Sequence, residues 1–251
     1  MGYSTNYTFE NFISSPDNKL ALNSCIAMAE NTADYGILYL WGDTSVGKTH
    51  LLKATEGYAI SDISEDKVVY ITANDYIMEL VEAVRSGSMD RFRGKYHALE
   101  LLLIDGIQDL CGKTATQGEF LNEIEFLCSK GAHIIASSNC PLSEQAGFYP
   151  ALISRLSQGM VVRIEALDQD ARKTYLKTRF AKRHIAMDEE LEKVVDYLAS
   201  EEAFTEDMRQ LSGAVTLIIW SSEVFSKPIT EEFVRQIVYD NYSRRSNSNA
   251  E

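Results

Sequence analysis

An α/β fold with a parallel five-stranded sheet flanked by helices, followed by a small C-terminal α-helical lobe, is predicted for this chain. Three observations carry the prediction. Five short apolar runs recur between stretches with helical spacing, and strands that alternate with helices indicate parallel βαβ units with right-handed crossovers. A glycine-rich turn separates the first apolar run from the helical pattern after it. Beyond about residue 166 the strand signals stop and only helical patterns follow.

Residues 1–20 read as a loop with aromatic anchors at Tyr3, Tyr7, Phe9 and Phe12. Residues 19–30 carry apolar side chains at helical spacing. Ile37-Leu38-Tyr39-Leu40-Trp41 is short and apolar throughout, which suits a strand buried on both faces. A helix is expected from near Lys48. Val68–Ile71, Leu101–Ile104, His133–Ser137 and Met160–Ile164 are the second to fifth strands, with helices over 74–86, 88–97 and 116–130. The later helices fall at 168–184, 188–201, 206–225 and 230–242. Asp188 and Thr205 stand at N-cap positions, and Pro228 precedes the last helix. The expected division is a core over 1–166, a helical lid over 167–243 and a polar, frayed tail over 244–251.

Composition narrows the function. With 45% hydrophobic residues and only 4 prolines, the 251-residue chain is globular, not disordered or collagen-like. Its 24 Lys and Arg against 37 Asp and Glu leave a net charge of -13. Binding to phosphate backbones needs clustered Lys and Arg, so nucleic acid is held only through a local patch. No apolar run is long enough to span a membrane, and residues 1–30 lack the regions of a secretion signal, so a cytoplasmic protein with no membrane partner is expected. The 4 cysteines form no C-x-x-C pair; reduced, mostly buried thiols are expected, and no zinc site.

The sharpest motif is Gly42-Asp43-Thr44-Ser45-Val46-Gly47-Lys48-Thr49, a full match to G-x-x-x-x-G-K-[ST] between a strand and a helix. Glycines let the backbone wrap around phosphate oxygens, while amides and the helix N-terminus face the negative charge. In bound ATP or ADP, Lys48 neutralises the β-phosphate, and in ATP the γ-phosphate as well, while the Thr49 hydroxyl ligates Mg2+. Such a site needs an acid on a neighbouring strand, and Asp105, after Leu101-Leu102-Leu103-Ile104, supplies it to hold Mg2+. Hydrolysing ATPases of this kind usually place a second carboxylate next, to polarise the attacking water. Gly106 stands there, with Gln108 and Asp109 nearby, so nucleotide binding with weak ATPase activity at most is expected.

Further blocks carry a resemblance. Tyr7-Thr8-Phe9-Glu10-Asn11-Phe12 with Asn18 opens the chain, and Gly47-Lys48-Thr49-His50-Leu51-Leu52 continues the phosphate loop into its helix. Phe92-Arg93-Gly94-Lys95-Tyr96 is followed by Leu102-Leu103-Ile104-Asp105-Gly106-Ile107-Gln108. Gly112-Lys113 and Thr116-Gln117 with Glu119-Phe120 complete the series. In this order they resemble the AAA+ domain of the bacterial DnaA/Hda family, the replication initiator DnaA and its shorter relatives, over about residues 7–240.

The resemblance implies an AAA+ P-loop NTPase core with a helical lid, His50 joining the cofactor-binding loop, and further roles by position. Asn139 is similar to the first sensor, a polar group near the γ-phosphate. Ser154-Arg155-Leu156 with Gly159 resembles the segment bearing an arginine finger, so that Arg155 acts in trans on a neighbouring subunit's ATP. Met208-Arg209-Gln210-Leu211 resembles the second sensor, with Arg209 coupling the lid to bound nucleotide. Residues 75–97 resemble the helix pair that marks initiators and helicase loaders, and Val81 and Lys113 fall at positions that contact single-stranded DNA in the family. Ala115 stands where the family often has an arginine; Arg85, Arg91, Arg93 and Lys95 form a basic cluster that offsets part of that loss.

The sequence stops at Glu251, just past the lid, so specific duplex recognition by a helix-turn-helix has no visible carrier in it and is not expected. Residues 1–6 lack the Gln- and Leu-rich clamp-binding peptide usual in Hda. Three functions stay open. One is a regulator of replication initiation acting through nucleotide-dependent contacts with DnaA-type subunits. Another is a helicase-loading or origin-remodelling ATPase that holds single strands. The third is the excised motor domain of a full initiator.

Overall fold

The computed structural model describes residues 7–201, 203–204 and 208–243, and the chain divides into two compact units between Glu165 and Ala166. The first unit is built on five parallel strands: β1 (Ile37–Trp41), β2 (Val68–Thr72), β3 (Leu101–Asp105), β4 (His133–Ser138) and β5 (Met160–Arg163). Their order is β2-β3-β4-β1-β5, with Leu102 opposite Ile134 and Leu40 opposite Ser137 and Val162. The continuous apolar runs of β1, β3 and β4 occupy the three central places, where helices cover both faces. On the edge strand β5, Val161 is exposed.

Helices α1 (Lys19–Ala29), α2 (Lys48–Ala59), α3 (Ala73–Ser86), α4 (Met89–His97), α5 (Thr114–Ser129) and α6 (Pro150–Leu156) belong to the same unit. Thr72 caps α3 by accepting from the Asp75 amide at 3.1 Å. Gly87, in the left-handed conformation, ends α3 and admits the turn into α4. Tyr76 of α3, Phe92 and Tyr96 of α4 and Phe120 of α5 pack ring against ring, which locks the helix pair onto α5. Sequence periodicity missed α6: seven residues are too few for a helical repeat to register, although Pro150 opens it at a position proline favours.

The second unit consists of α7 (Gln169–Ala181), α8 (Glu189–Ala199), α9 (Met208–Phe225) and α10 (Glu231–Val238), ending in a π-helical turn, Tyr239–Ser243. Asp168 caps α7 and Asp188 caps α8, the latter as its position predicts. Leu176, Phe180, Val194, Leu198, Leu211, Val215, Ile218 and Val234 form its core. Thr205, Tyr3, residues 1–6 and the tail 244–251 lie outside the described residues. Among the described residues no helix is long and apolar enough to cross a membrane.

Glu123 of α5 is fully buried, with His97 Nε2 of α4 at 3.2 Å from its Oε2. Burial, reinforced by the Glu119 charge and opposed by Arg93, pushes its carboxyl up to about 7. The folded chain therefore holds a proton there that the unfolded chain releases above its ordinary value of 4.5. Stability from this group is complete below that ordinary value and lost as pH rises through about 7. Glu123→Gln is expected to stabilise the protein at pH 8, on the order of 2 kcal/mol, and to do little at acid pH, as read by denaturant titration at both.

Candidate nucleotide site

The carboxyl ends of the strands in an open parallel sheet are where ligands gather, because loops there splay apart beside helix N-termini. Here that edge carries the loop after β1, Thr72 at the end of β2, Asp105 at the end of β3 and Asn139 just past β4.

The loop's shape follows from its residues. Gly42 passes so close to β5 that a Cβ on it would come within 2.2 Å of the Ile164 carbonyl oxygen. Ser45 and Gly47 both adopt left-handed backbone, with φ of 71° and 108°. At Gly47 a Cβ would also meet the Phe12 ring at 2.9 Å, so sterics and backbone together select glycine. Ser45 carries the strain instead, about 1–3 kcal/mol, as residues at ligand clamps often do. Left-handed residues one apart turn successive amides to one side, the form of an anion-binding concavity. Helix α2 begins directly after them, so its N-terminus opens onto the same space.

Lys48, the first residue of α2, folds back over the loop and donates to the Gly42 and Asp43 carbonyls, both at 2.6 Å. Thr49 Oγ1 donates to Asp105 Oδ2 at 2.6 Å, and the Tyr70 hydroxyl donates to the same oxygen at 3.0 Å. Ser137 Oγ donates to Asp105 Oδ1 and accepts from the Gly106 amide at 2.9 Å. Burial, then the Asp105 charge, pushes the Tyr70 phenol well up, so it remains a donor. Three hydroxyls thus hold one carboxylate at the mouth of the loop. A threonine hydroxyl beside a single fixed carboxylate suits Mg2+, which prefers hard oxygens and completes its shell with phosphate and water. Among the described residues no group of three or more His, Cys, Asp or Glu converges as a metal cage would.

His50 Nε2 lies 2.9 Å from the Thr8 carbonyl oxygen, and its ring meets Tyr7 and Phe12 edge-on at 5.0 and 5.3 Å. Phe9 packs near Tyr58 at 5.5 Å. The opening segment is thereby fastened along α2 by Tyr7, Phe9 and Phe12, three of the aromatic anchors the sequence suggests. Asn139 is exposed where the chain leaves β4.

The remaining candidates lie elsewhere. Arg155 sits in the last turn of α6, half-buried, bonded to Gln158 Oε1 and lying against the Cys128 thiol. Cys128 Sγ lies 3.7 Å from where a Cβ on Gly36 would be, and Gly36 immediately precedes β1. Arg155 is therefore at the opposite edge of the sheet from its own phosphate loop, the length of β1 away, or about 16 Å at 3.3 Å per residue. Arg209 lies exposed in the first turn of α9, within the second unit. Val81 is exposed on α3, with Met78 and Val84 beside it in sequence spacing. The Lys113 ammonium donates to the Asp109 main-chain oxygen at 2.6 Å.

Two expectations are corrected. The basic cluster is half neutralised, because Arg93 grips Glu119 with two bonds of 2.6 and 3.0 Å and Lys95 pairs with Glu79 at 2.7 Å. Two of the four cations on this face are thus balanced by carboxylates, while Arg85 and Arg91 form no ion pair among the described residues. The thiols are not mostly buried: Cys25 is, but Cys111 is exposed on the loop before α5, donating to the Ala146 carbonyl, and Cys128 and Cys140 are half-buried. Sequence reasoning missed Tyr70 and Ser137, whose alternation within strands marks them only as sheet residues; pairing β2, β3 and β4 in register is what aims them at Asp105.

The family described as the bacterial DnaA ATPase domain matches residues 3–163. The chain is 31% identical over 224 residues to the chromosomal replication initiator protein DnaA of Thermotoga petrophila, covering 89% of this chain and 50% of that one. It thus spans about half the length of the curated relatives it matches. The crystal structure of domain III of Thermotoga maritima DnaA superposes with a TM-score of 0.86 at 28% identity, covering 96% of this chain and 98% of that one. A replication initiator DnaA bound to AMPPCP and single-stranded DNA superposes with a TM-score of 0.76 at 30% identity, covering 85% and 65%. The AAA+ fold, the phosphate-loop motif beside the fixed Asp105 carboxylate and the match over the core agree: this chain belongs to the bacterial DnaA ATPase-domain family.

Proposed function

We propose that the chain binds ATP or ADP with Mg2+ at Gly42–Thr49 and serves initiation of chromosomal replication as a nucleotide-controlled DnaA-type subunit. It regulates or assists initiation by changing its contacts with DnaA-type neighbours according to the nucleotide held. The observation that carries this is the loop itself: left-handed Ser45 and Gly47, Lys48 folded across the loop and Thr49 locked to Asp105. In this reading Asp105 and Thr49 hold the metal, and Asn139 faces the γ-phosphate. Arg209 reports on nucleotide from the second unit. Arg155 completes a neighbour's site, in keeping with its distance from its own loop. The relative bound to AMPPCP supports the nucleotide.

The test is calorimetric titration with ATP·Mg2+ and with ADP, paired with thermal melting. One nucleotide per chain and a raised melting temperature are expected, since a ligand selective for the folded state stabilises it by about 2.7 kcal/mol at a hundred times its Kd. A flat titration with no melting shift rejects the reading.

A second reading is single-strand binding by the α3–α4 pair, as in a helicase-loading or origin-remodelling ATPase. It is favoured by exposed Met78, Val81 and Val84 on α3 and by the single-stranded DNA in the AMPPCP-bound relative. The two balanced cations on the same pair weigh against it. Fluorescence anisotropy with a labelled oligonucleotide, with and without ATP, discriminates between the readings.

A further inference from the structure

We infer that Asp109 supplies the carboxylate that position 106 lacks, aligning and deprotonating the water that attacks the γ-phosphate of bound ATP. This rests on the nucleotide-binding reading above and assigns its catalytic base.

The geometry starts from Gly106, which follows Asp105 with φ of 79°. A Cβ built on it would lie 3.8 Å from Asp109 Oδ2 and 3.1 Å from Gln108 Nε2. A glutamate reaches from its Cβ to its carboxylate oxygens across three bonds of about 1.2–1.5 Å each, about 3.5 Å in all when extended. The Asp109 oxygen therefore lies at nearly the distance from position 106 at which a glutamate there would place its own.

The carboxylate is held in place. Asn74 Nδ2, from the first turn of α3, donates to Asp109 Oδ2 at 2.7 Å. Asp109 belongs to a short 3-10 turn, Ile107–Leu110, pinned by the buried side chains of Ile107 and Leu110 and by the Lys113 bond to the Asp109 carbonyl. The turn is tied to the metal-type carboxylate as well, because the Gly106 amide and Asp105 share Ser137 Oγ. Beside it, Gln108 Oε1 is buried with no hydrogen-bond partner among the described residues. A lone carboxylate on a surface turn needs neither Asn74 nor this anchoring.

In the step, the water oxygen bonds to the γ-phosphorus as the bond from that phosphorus to the β-phosphate's bridging oxygen breaks. The electron pair stays with ADP. The water proton passes to Asp109 and then to the released phosphate.

The experiment uses the full chain with Asp109→Asn, which is isosteric and still accepts from Asn74. Three quantities are read: ATP affinity by calorimetry, single-turnover hydrolysis, and affinity for ADP with aluminium fluoride, which mimics the attacked phosphoryl group. Asp109→Asn should bind ATP within about twofold of wild type, lose tenfold or more in hydrolysis, and lose affinity for the aluminium fluoride complex while keeping that for ADP. Asn74→Ala, which loosens the carboxylate without removing it, should lose less. Hydrolysis by Asp109→Asn at the wild-type rate, no turnover by the wild type, or a loss of ATP affinity equal to the loss of rate overturns the assignment. Failure of the wild type to bind ATP overturns the nucleotide reading itself, and is distinguished because it appears before any rate is measured.

Discussion

Lys48→Ala is expected to weaken ATP binding about 10²–10⁴-fold. The ammonium reaches back across the loop to within 2.6 Å of two carbonyl oxygens, so its position is already over the space where phosphate oxygens sit. Hydrogen bonds to charged groups contribute about 1.5–3 kcal/mol each, and two such contacts with phosphate account for the expected range. The fold should survive, because Lys48 is only half-buried. The check is calorimetry on both proteins at one salt concentration, with melting curves to show that the variant is folded. Binding within threefold of wild type would mean that the amides alone hold the nucleotide, and the role given to Lys48 would fall.

The second large effect is expected at Arg155. An arginine acting in its own site and one acting on a neighbour's predict opposite results. Because the guanidinium lies against Cys128, at the edge of the sheet away from the loop, Arg155→Ala should leave the chain's own ATP affinity unchanged. It should abolish ATP-dependent association, or remove about 10³–10⁵-fold of partner-stimulated hydrolysis, the contribution of an arginine finger supplied in trans. Mixing Arg155→Ala with Lys48→Ala chains gives the decisive arm. Each lacks a different half of a composite site, so a mixture should recover activity that neither has alone. No recovery, together with weakened ATP binding by Arg155→Ala, would place Arg155 in its own site.

Much of the first unit was legible without coordinates. The apolar runs at 37–41, 101–104 and 133–137 had to be central strands, since no other element buries so many consecutive side chains. The phosphate loop was equally legible, because its glycines and Lys48-Thr49 serve contacts between neighbours in the chain. Helix 150–156 was not, being too short for periodicity to show. The salt bridges that neutralise Arg93 and Lys95 were not either, because Glu119 and Glu79 lie 26 and 16 residues away along the chain.

The sequence by itself determined the strand–loop–helix unit that shapes the anion site, the alternation that makes the sheet parallel, and the absence of a carboxylate at position 106. These depend on local backbone chemistry and on patterns a few residues long. Tertiary structure alone decided which groups meet. Strand register brings Tyr70 and Ser137 onto Asp105 from two neighbouring strands. The packing of α3 beside the turn after β3 sets Asn74 on Asp109 and brings that carboxylate toward the side-chain space of Gly106. The packing of α6 beside α5 sets Arg155 against Cys128, at the end of β1 opposite the phosphate loop. Such meetings depend on the direction and spacing of elements far apart in the chain, which no local pattern encodes.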